Sequence, residues 1–272
     1  MKQHSNQYYI ARVIIISAFV AIFVSWVGIF AYKSIYTELP EDFILFATDF
    51  LLAYAVIYAV MVGFIILISF TRYQKFSDII SQELSCLGDM LDFTEYLSRQ
   101  DASKEQIKDG VKSYGISVAN DEWSAMKNGQ AHQIATHHLK KLTDSINSID
   151  ITNNKNAIIF ELFVNKVANL TTLRAARLEE AKNSFPKLLT ITLYIVSVIF
   201  TLGIFLMFVP NIFVQTLFLS TSVFTTSLII QLVSDIGNPY RSGVWHISKT
   251  DYESIKTSIV TQISDVGENK KT

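Results

Sequence analysis

Four long apolar runs, paired at the two ends of the chain and separated by an extended polar stretch, constrain this sequence more than any motif in it. The first pair covers Ile10 to Tyr32 and Phe43 to Phe70, and the second Leu188 to Val209 and Ile212 to Ser234. Crossing a hydrocarbon core takes about 20 residues at ~1.5 Å of rise each, because every backbone N–H and C=O must be bonded inside the segment. All four runs are long enough. Val13 to Tyr32 carries no charge and is followed at once by a second apolar run, which fits a membrane span and not a cleaved signal peptide. Soluble core helices rarely run so far without charge, so the expected fold is an all-α membrane protein with four transmembrane helices in two hairpins and a helical domain between them.

Basic residues fix the expected orientation. Lys2 and Arg12 precede the first run, Arg72 and Lys75 follow the second, Lys182 and Lys187 precede the third, and Arg241 and Lys249 follow the fourth. The two opposite loops hold Lys33 as their only cation. The positive-inside bias then places both termini and the middle segment in the cytoplasm of a multi-pass cell-membrane protein. Four segments follow: a transmembrane hairpin over 1–70, a cytoplasmic helical domain over 71–187, a second hairpin over 188–234, and a cytoplasmic turn with an amphipathic tail helix over 235–272. A net charge of -1, with the cations spread along the chain, gives no basis for a nucleic-acid partner. Cys86 is the only cysteine, so no intrachain disulfide is possible.

The middle segment has apolar residues at helical spacing and a single proline, Pro186, at its end. Ile79, Ile80, Leu84, Leu87, Met90 and Leu91 continue the second span as an amphipathic helix. Further helices are expected around Lys104 to Val118, through the histidines, and from about Asn154 to Phe185, with a short turn holding Trp123 and Met126. On the long helix the apolar stripe of Phe163, Val167 and Leu170 continues at helical spacing into Arg174 and Arg177. Two cations thus extend an inward face. Either a carboxylate or carbonyl meets each one, or both snorkel to water or lipid phosphate. Asp235, at the end of the fourth span, is an expected partner for one of them. Beyond it, Asn238, Pro239 and Gly243 belong to a dense turn sequence.

The order of these features resembles the bestrophin-like domain family, four-span membrane proteins similar in plan to bestrophin channels. The resemblance rests on the paired spans, the helical middle with Glu122-Trp123, the pair Arg174 and Arg177 before the third span, and the stretch from Asp235 to Gly243. It implies a homo-oligomer, a pentamer, around a central pathway for small inorganic ions, with the second span lining the membrane pore. Calcium-activated bestrophins carry an acidic cluster soon after the fourth span. Here Asp235, Asp251 and Glu253 are scattered, so calcium gating is not implied.

The spans themselves offer two polar or aromatic stripes. Phe46, Phe50, Tyr54 and Tyr58 recur four apart on the second span, with Ala55, Ala59 and Gly63 on another face. The aromatics could narrow a pore by dewetting, or face lipid or a neighbouring helix. Asp49 is the only charge within that run and a candidate for the ion pathway, suited to attracting cations. On the fourth span Thr216, Ser220, Ser227 and Gln231 share a face, with Ser222 and Thr226 beside it, as expected of interhelical hydrogen bonding. Ser17, Ala21 and Ser25 on the first span have the spacing of a helix-packing face.

Catalytic and metal chemistry finds little support. His132, His137 and His138 lack the four-residue separation that turns two imidazoles onto one metal, and no phosphate-binding glycine loop or nucleophile elbow occurs. No cofactor, metal or enzyme activity is expected. Two functional classes remain: an oligomeric ion channel, or a membrane-anchored interaction or sensing scaffold without conductance.

Overall fold

The computed structural model describes residues 2–35, 40–97, 103–126, 130–152, 154–182, 186–207 and 211–237, together with Trp245, Ile247 and Tyr252. They form eight α-helices: α1 (Lys2–Ile35), α2 (Glu41–Tyr96), α3 (Ser103–Ser117), α4 (Trp123–Met126), α5 (Gln133–Asn147), α6 (Asn154–Lys182), α7 (Lys187–Leu206) and α8 (Ile212–Ile236). One turn of π-helix, Val118–Glu122, joins α3 to α4. Four stretches within these helices are long and apolar enough to cross a membrane. The protein is an all-α membrane protein.

Two compact units divide the chain. The first takes Met1–Tyr73 and Ser184–His246, the second Gln74–Asn183 and Ile247–Thr272.

In the first unit α1 packs along α8, and α7 packs against α8. Small residues let α1 approach closely. Ser17, Ala21 and Ser25 are buried, and a Cβ at Gly28 would stand 2.6 Å from Leu219 Cδ2. Without water to expel between helices, such close packing and polar contacts hold spans together. Gln231 Nε2 donates to Ser17 Oγ at 2.6 Å and to the Val13 carbonyl at 3.3 Å. The expected interhelical role of the α8 polar stripe is seen here in one residue. Gln215 Nε2 bonds the carbonyls of Ile204 and Phe205, tying the start of α8 to the end of α7. Asn211 caps α8, its Oδ1 accepting from the Phe213 N–H at 2.9 Å. The membrane part of α2 meets α7 through Leu51, whose Cδ1 lies 2.7 Å from where a Cβ at Gly203 would stand. Tyr58, Val62, Ile65, Leu193 and Val233 form a buried cluster at these contacts. Phe19, Trp26, Phe30, Leu52 and Phe64 point outward. A surface of that kind suits lipid as solvent.

In the second unit the polar end of α2 contributes buried Ile79, Ile80, Leu87, Met90 and Leu91. These fit the expected amphipathic continuation, though Leu84 is only partly buried. They share a core with Ile107, Val111, Met126, Leu142, Phe163 and Leu170. Gly110 serves a packing purpose: a Cβ there would come within 3.0 Å of Leu142 Cδ1 and 3.2 Å of its Cα, so α3 and α5 meet almost backbone to backbone. His132 Nδ1 caps α5 by accepting from the Ile134 N–H at 3.4 Å. α6 is described as far as Lys182, the residues 183–185 of the helix expected through Phe185 lie outside the described residues, and Pro186 stands at the N-cap of α7, its carbonyl accepting from the Leu189 N–H. The bend expected ahead of it, and the tail helix beyond Tyr252, lie outside the described residues.

Candidate functional site

Both arginines singled out on α6 are buried in the second unit, and neither snorkels. Arg177 is fully buried and Arg174 nearly so. A guanidinium removed from water is tolerated only when its donors are met by carboxylates in good geometry. Two glutamates meet them. Arg177 Nε donates to Glu83 Oε2 at 2.6 Å and its Nη2 to Glu83 Oε1 at 3.2 Å, a two-pronged contact with α2. The same Nη2 reaches Glu122 Oε2 at 2.7 Å. Arg174 grips Glu122 with Nη2 on Oε1 at 2.5 Å and Nε on Oε2 at 3.2 Å. Its Nη2 also donates to Thr136 Oγ1 at 2.8 Å. Arg177 Nη1 lies 2.6 Å from the sulfur of Met126.

These contacts correct the expectation that Asp235 partners Arg174 or Arg177. The hydrogen bonds of the pair go to groups of α2, α4, α5 and the π-turn, with Glu83 and Glu122 as the carboxylates. Asp235 has a different role in the first unit. Its Oδ2 accepts from the Trp245 N–H at 3.3 Å, and the Trp245 ring stands edge-on to Phe70 and Tyr73. Asp235 of α8 and the rings of Phe70 and Tyr73 of α2 thus meet at Trp245. Asn238, Pro239 and Gly243, the turn residues of that segment, lie outside the described residues.

Each glutamate accepts four hydrogen bonds. Glu83 takes two from Arg177, one from Tyr114 OH at 2.7 Å and one from Tyr252 OH at 2.8 Å. Glu122 takes two from Arg174, one from Arg177 and one from the His132 N–H at 3.3 Å. Two carboxylates balance two guanidiniums, and Arg177 also lies 5.8 Å from the centroid of the Tyr252 ring. Trp123 packs beside Tyr252 with ring centroids 6.1 Å apart. Burial alone would push the Glu122 carboxyl up, but the Arg174 hydrogen bond and the Arg177 charge more than offset it, and its pKa lies below the ordinary carboxylate value. Burial, reinforced by the Glu83 charge, raises the phenols of Tyr114 and Tyr252 well above their ordinary value. Both remain neutral donors.

The sequence signals for this hub were uneven. Glu83 falls on the buried face of α2 between Ile79, Ile80 and Leu87, and a carboxylate within an apolar stripe is the signal that marks it. The π-turn that carries Glu122 inward has no such mark. Extra turns of this kind recur at functional sites.

In the first unit the aromatic stripe divides. Phe46, Phe50 and Tyr54 stack along α2 with centroids 6.5 and 5.7 Å apart, and Phe46 and Phe50 are exposed. Tyr54 turns inward to donate to the Val196 carbonyl at 3.1 Å. Tyr58 is buried, lies flat on Phe200 at 4.4 Å, and has its hydroxyl 3.5 Å from both Ser197 Oγ and Thr226 Oγ1. Asp49 is exposed. It makes no hydrogen bond or ion pair among the described residues. Gly63 faces open space. On α8, Thr216 and Ser220 bond back to the carbonyls of Ile212 and Leu217, and Ser227 Oγ lies 3.3 Å from Gln231 Nε2. Among the described residues no cluster of three His, Cys, Asp or Glu is arranged for a metal ion.

A four-span helical membrane protein whose polar helices close around a buried Glu–Arg hub defines the class. The bestrophin-like domain matches residues 18–252, and the chain belongs to that family. Its fold is similar to that of a point variant of a bacterial bestrophin homologue from Klebsiella pneumoniae, with 12% identity over 91% of this chain and 98% of that one and a TM-score of 0.71. A structure of a bacterial bestrophin homologue from the same organism, phased on zinc, gives 11% identity over 90% and 95% and a TM-score of 0.67. A third structure, of a variant described as a membrane protein, gives 13% identity over 91% and 97% and a TM-score of 0.71. Among curated proteins no sequence match was found.

Proposed function

We propose that the chain is one subunit of a homo-oligomeric ion channel of the cell membrane, a pentamer by its resemblance to bestrophin channels, with both termini cytoplasmic and the second span lining the pore. The observation that carries this reading is Asp49. It lies about 12 Å along α2 from Glu41 at ~1.5 Å per residue, on an apolar helix, exposed and without a partner among the described residues. An ionisable group at that depth is stable facing water, and is unfavourable facing lipid. A water-filled pathway between subunits supplies that environment. Phe50, exposed one residue on, stands at the wall of the same pathway, and Tyr54 and Tyr58 brace the helix from behind through α7 and α8. The Ala59 and Gly63 face, open in the single chain, is suited to a neighbouring subunit's helix.

The test is electrical. Purified protein in planar bilayers should conduct. Asp49→Asn should lower cation permeability relative to anions, read as a shift in reversal potential under a salt gradient, and Phe50→Ala should raise unitary conductance. Silence across salts and voltages, with the oligomer intact by native mass measurement, would favour a membrane-anchored scaffold.

A further inference from the structure

We propose that the first unit holds a site for one anionic phospholipid of the leaflet on the Arg12 side, its acyl chain lying between α1, α7 and α8 and its phosphate against Arg12. A cavity of about 510 Å³ runs between Ile16, Val20 and Val24 of α1, Val198 and Thr201 of α7, and Val223 of α8. Of the five hydroxyls on its wall, those of Ser197, Thr201, Thr226 and Ser227 meet partners within the protein. Thr201 donates to the Ser197 carbonyl, and Ser197 and Thr226 face the Tyr58 hydroxyl. With these four hydroxyls engaged by the protein and most of its wall apolar, the cleft suits hydrocarbon and not a hydrated ion.

At one end this cleft abuts a second cavity of about 500 Å³, the two sharing Ile16 and Gln231. The second cavity is the more polar of the two, though Val13 and Ile16 also line it. Tyr9, Arg12 and Ser234 line it, together with Asp235, whose carboxylate is buried and accepts the Trp245 N–H. Arg12 is exposed and forms no ion pair among the described residues. Its charge therefore stands ready for an anion at the membrane surface. From Arg12 to Val24 is about 18 Å along a helix rising ~1.5 Å per residue, against a half-thickness of about 15 Å for a hydrocarbon core. The two cavities together match the depth of one leaflet, with cationic and hydroxyl groups at the headgroup end and apolar walls below. That match favours a single lipid over a membrane-spanning helix of a neighbouring copy.

The test uses the full chain in phosphatidylcholine vesicles doped with phosphatidylglycerol carrying a photoreactive acyl chain, with adducts mapped by mass spectrometry. A phosphatidylcholine probe with the same chain is the control. Adducts should concentrate on Val20, Val24 and Val198, with the anionic probe labelling about five-fold more than the control, the effect expected of one cation at an anionic surface. Arg12→Gln should remove that excess, and Thr201→Leu, which narrows the cleft without touching the headgroup end, should lower labelling by both probes. The proposal fails if Phe19 and Phe23 on the outward face label as strongly as the cleft, which means bulk lipid only. It also fails if Val20→Cys or Val198→Cys cross-links to a second copy, which means a neighbouring subunit fills the space. None of these readouts depends on current, so they stand or fall separately from conduction.

Discussion

Replacing Glu83 by glutamine leaves the shape of the hub unchanged and removes one charge. Glu83 is fully buried and accepts from Arg177 twice, from Tyr114 and from Tyr252. Glu83→Gln turns one acceptor oxygen into an NH2 facing donors, and the balance of two carboxylates and two guanidiniums becomes one against two. Breaking a buried pair from one side costs about 3–5 kcal/mol, because the remaining charge has neither water nor partner. At roughly 2–4 °C per kcal/mol for chains of comparable length, apparent melting in detergent should fall by about 6–20 °C, followed by tryptophan fluorescence or size exclusion after heating. The double variant Glu83→Gln with Arg177→Met restores neutrality, leaving Glu122 with Arg174. Since apolar replacements of buried ion pairs are often nearly neutral, much of the loss should return. If Glu83→Gln melts with the parent, or if the double variant loses as much as the two singles added together, the account of the hub as a charge-balanced core is wrong.

Other consequences can be checked directly. The folded pKa of Glu122 is depressed, so its contribution to stability is complete above the unfolded carboxylate value of about 4.3 and is lost as pH falls through the lower folded value. A melting profile should be insensitive to this group from pH 7 to 5 and decline below about pH 4; the opposite slope would refute the sign. Gly110→Val places methyls against the Leu142 backbone and should destabilise by about 1–3 kcal/mol, seen as a lower melting temperature with the helical content retained at low temperature. Gln231→Leu removes the bond to Ser17 and should change stability by only about 0.6 kcal/mol in denaturant titration; a collapse of the protein would show that α1 and α8 depend on that bond far more than their packing suggests.

The spans were legible because length and absence of charge are direct physical requirements of a bilayer, and a run such as Val13 to Tyr32 has few other solutions. The inward face of α6 was legible for a similar reason. Helical spacing carried the stripe of Phe163 and Leu170 into Arg174 and Arg177. Spacing says which side of a helix is buried, though, and not what it is buried against. Glu83 lies 94 positions from Arg177, and only packing brings α2 to α6, so sequence alone points to Asp235 at the end of the fourth span. Glu122 stood out only as part of the Glu122-Trp123 pair, and its role as a partner was not legible because its orientation depends on a π-turn. Tyr58 is a milder case: its spacing joined it to Phe46 and Phe50, while its hydroxyl drew it inward to Ser197 and Thr226.

Tyr252 donates to a carboxylate 169 residues earlier in the chain. A ribosome must therefore finish all four spans before the last phenol reaches Glu83, and until then the glutamate waits inside a nascent body one donor short. Contacts of such separation form late and slowly. A chain whose spans are threaded so that Tyr252 reaches Glu83 can complete that carboxylate's set of donors, and a misthreaded one cannot.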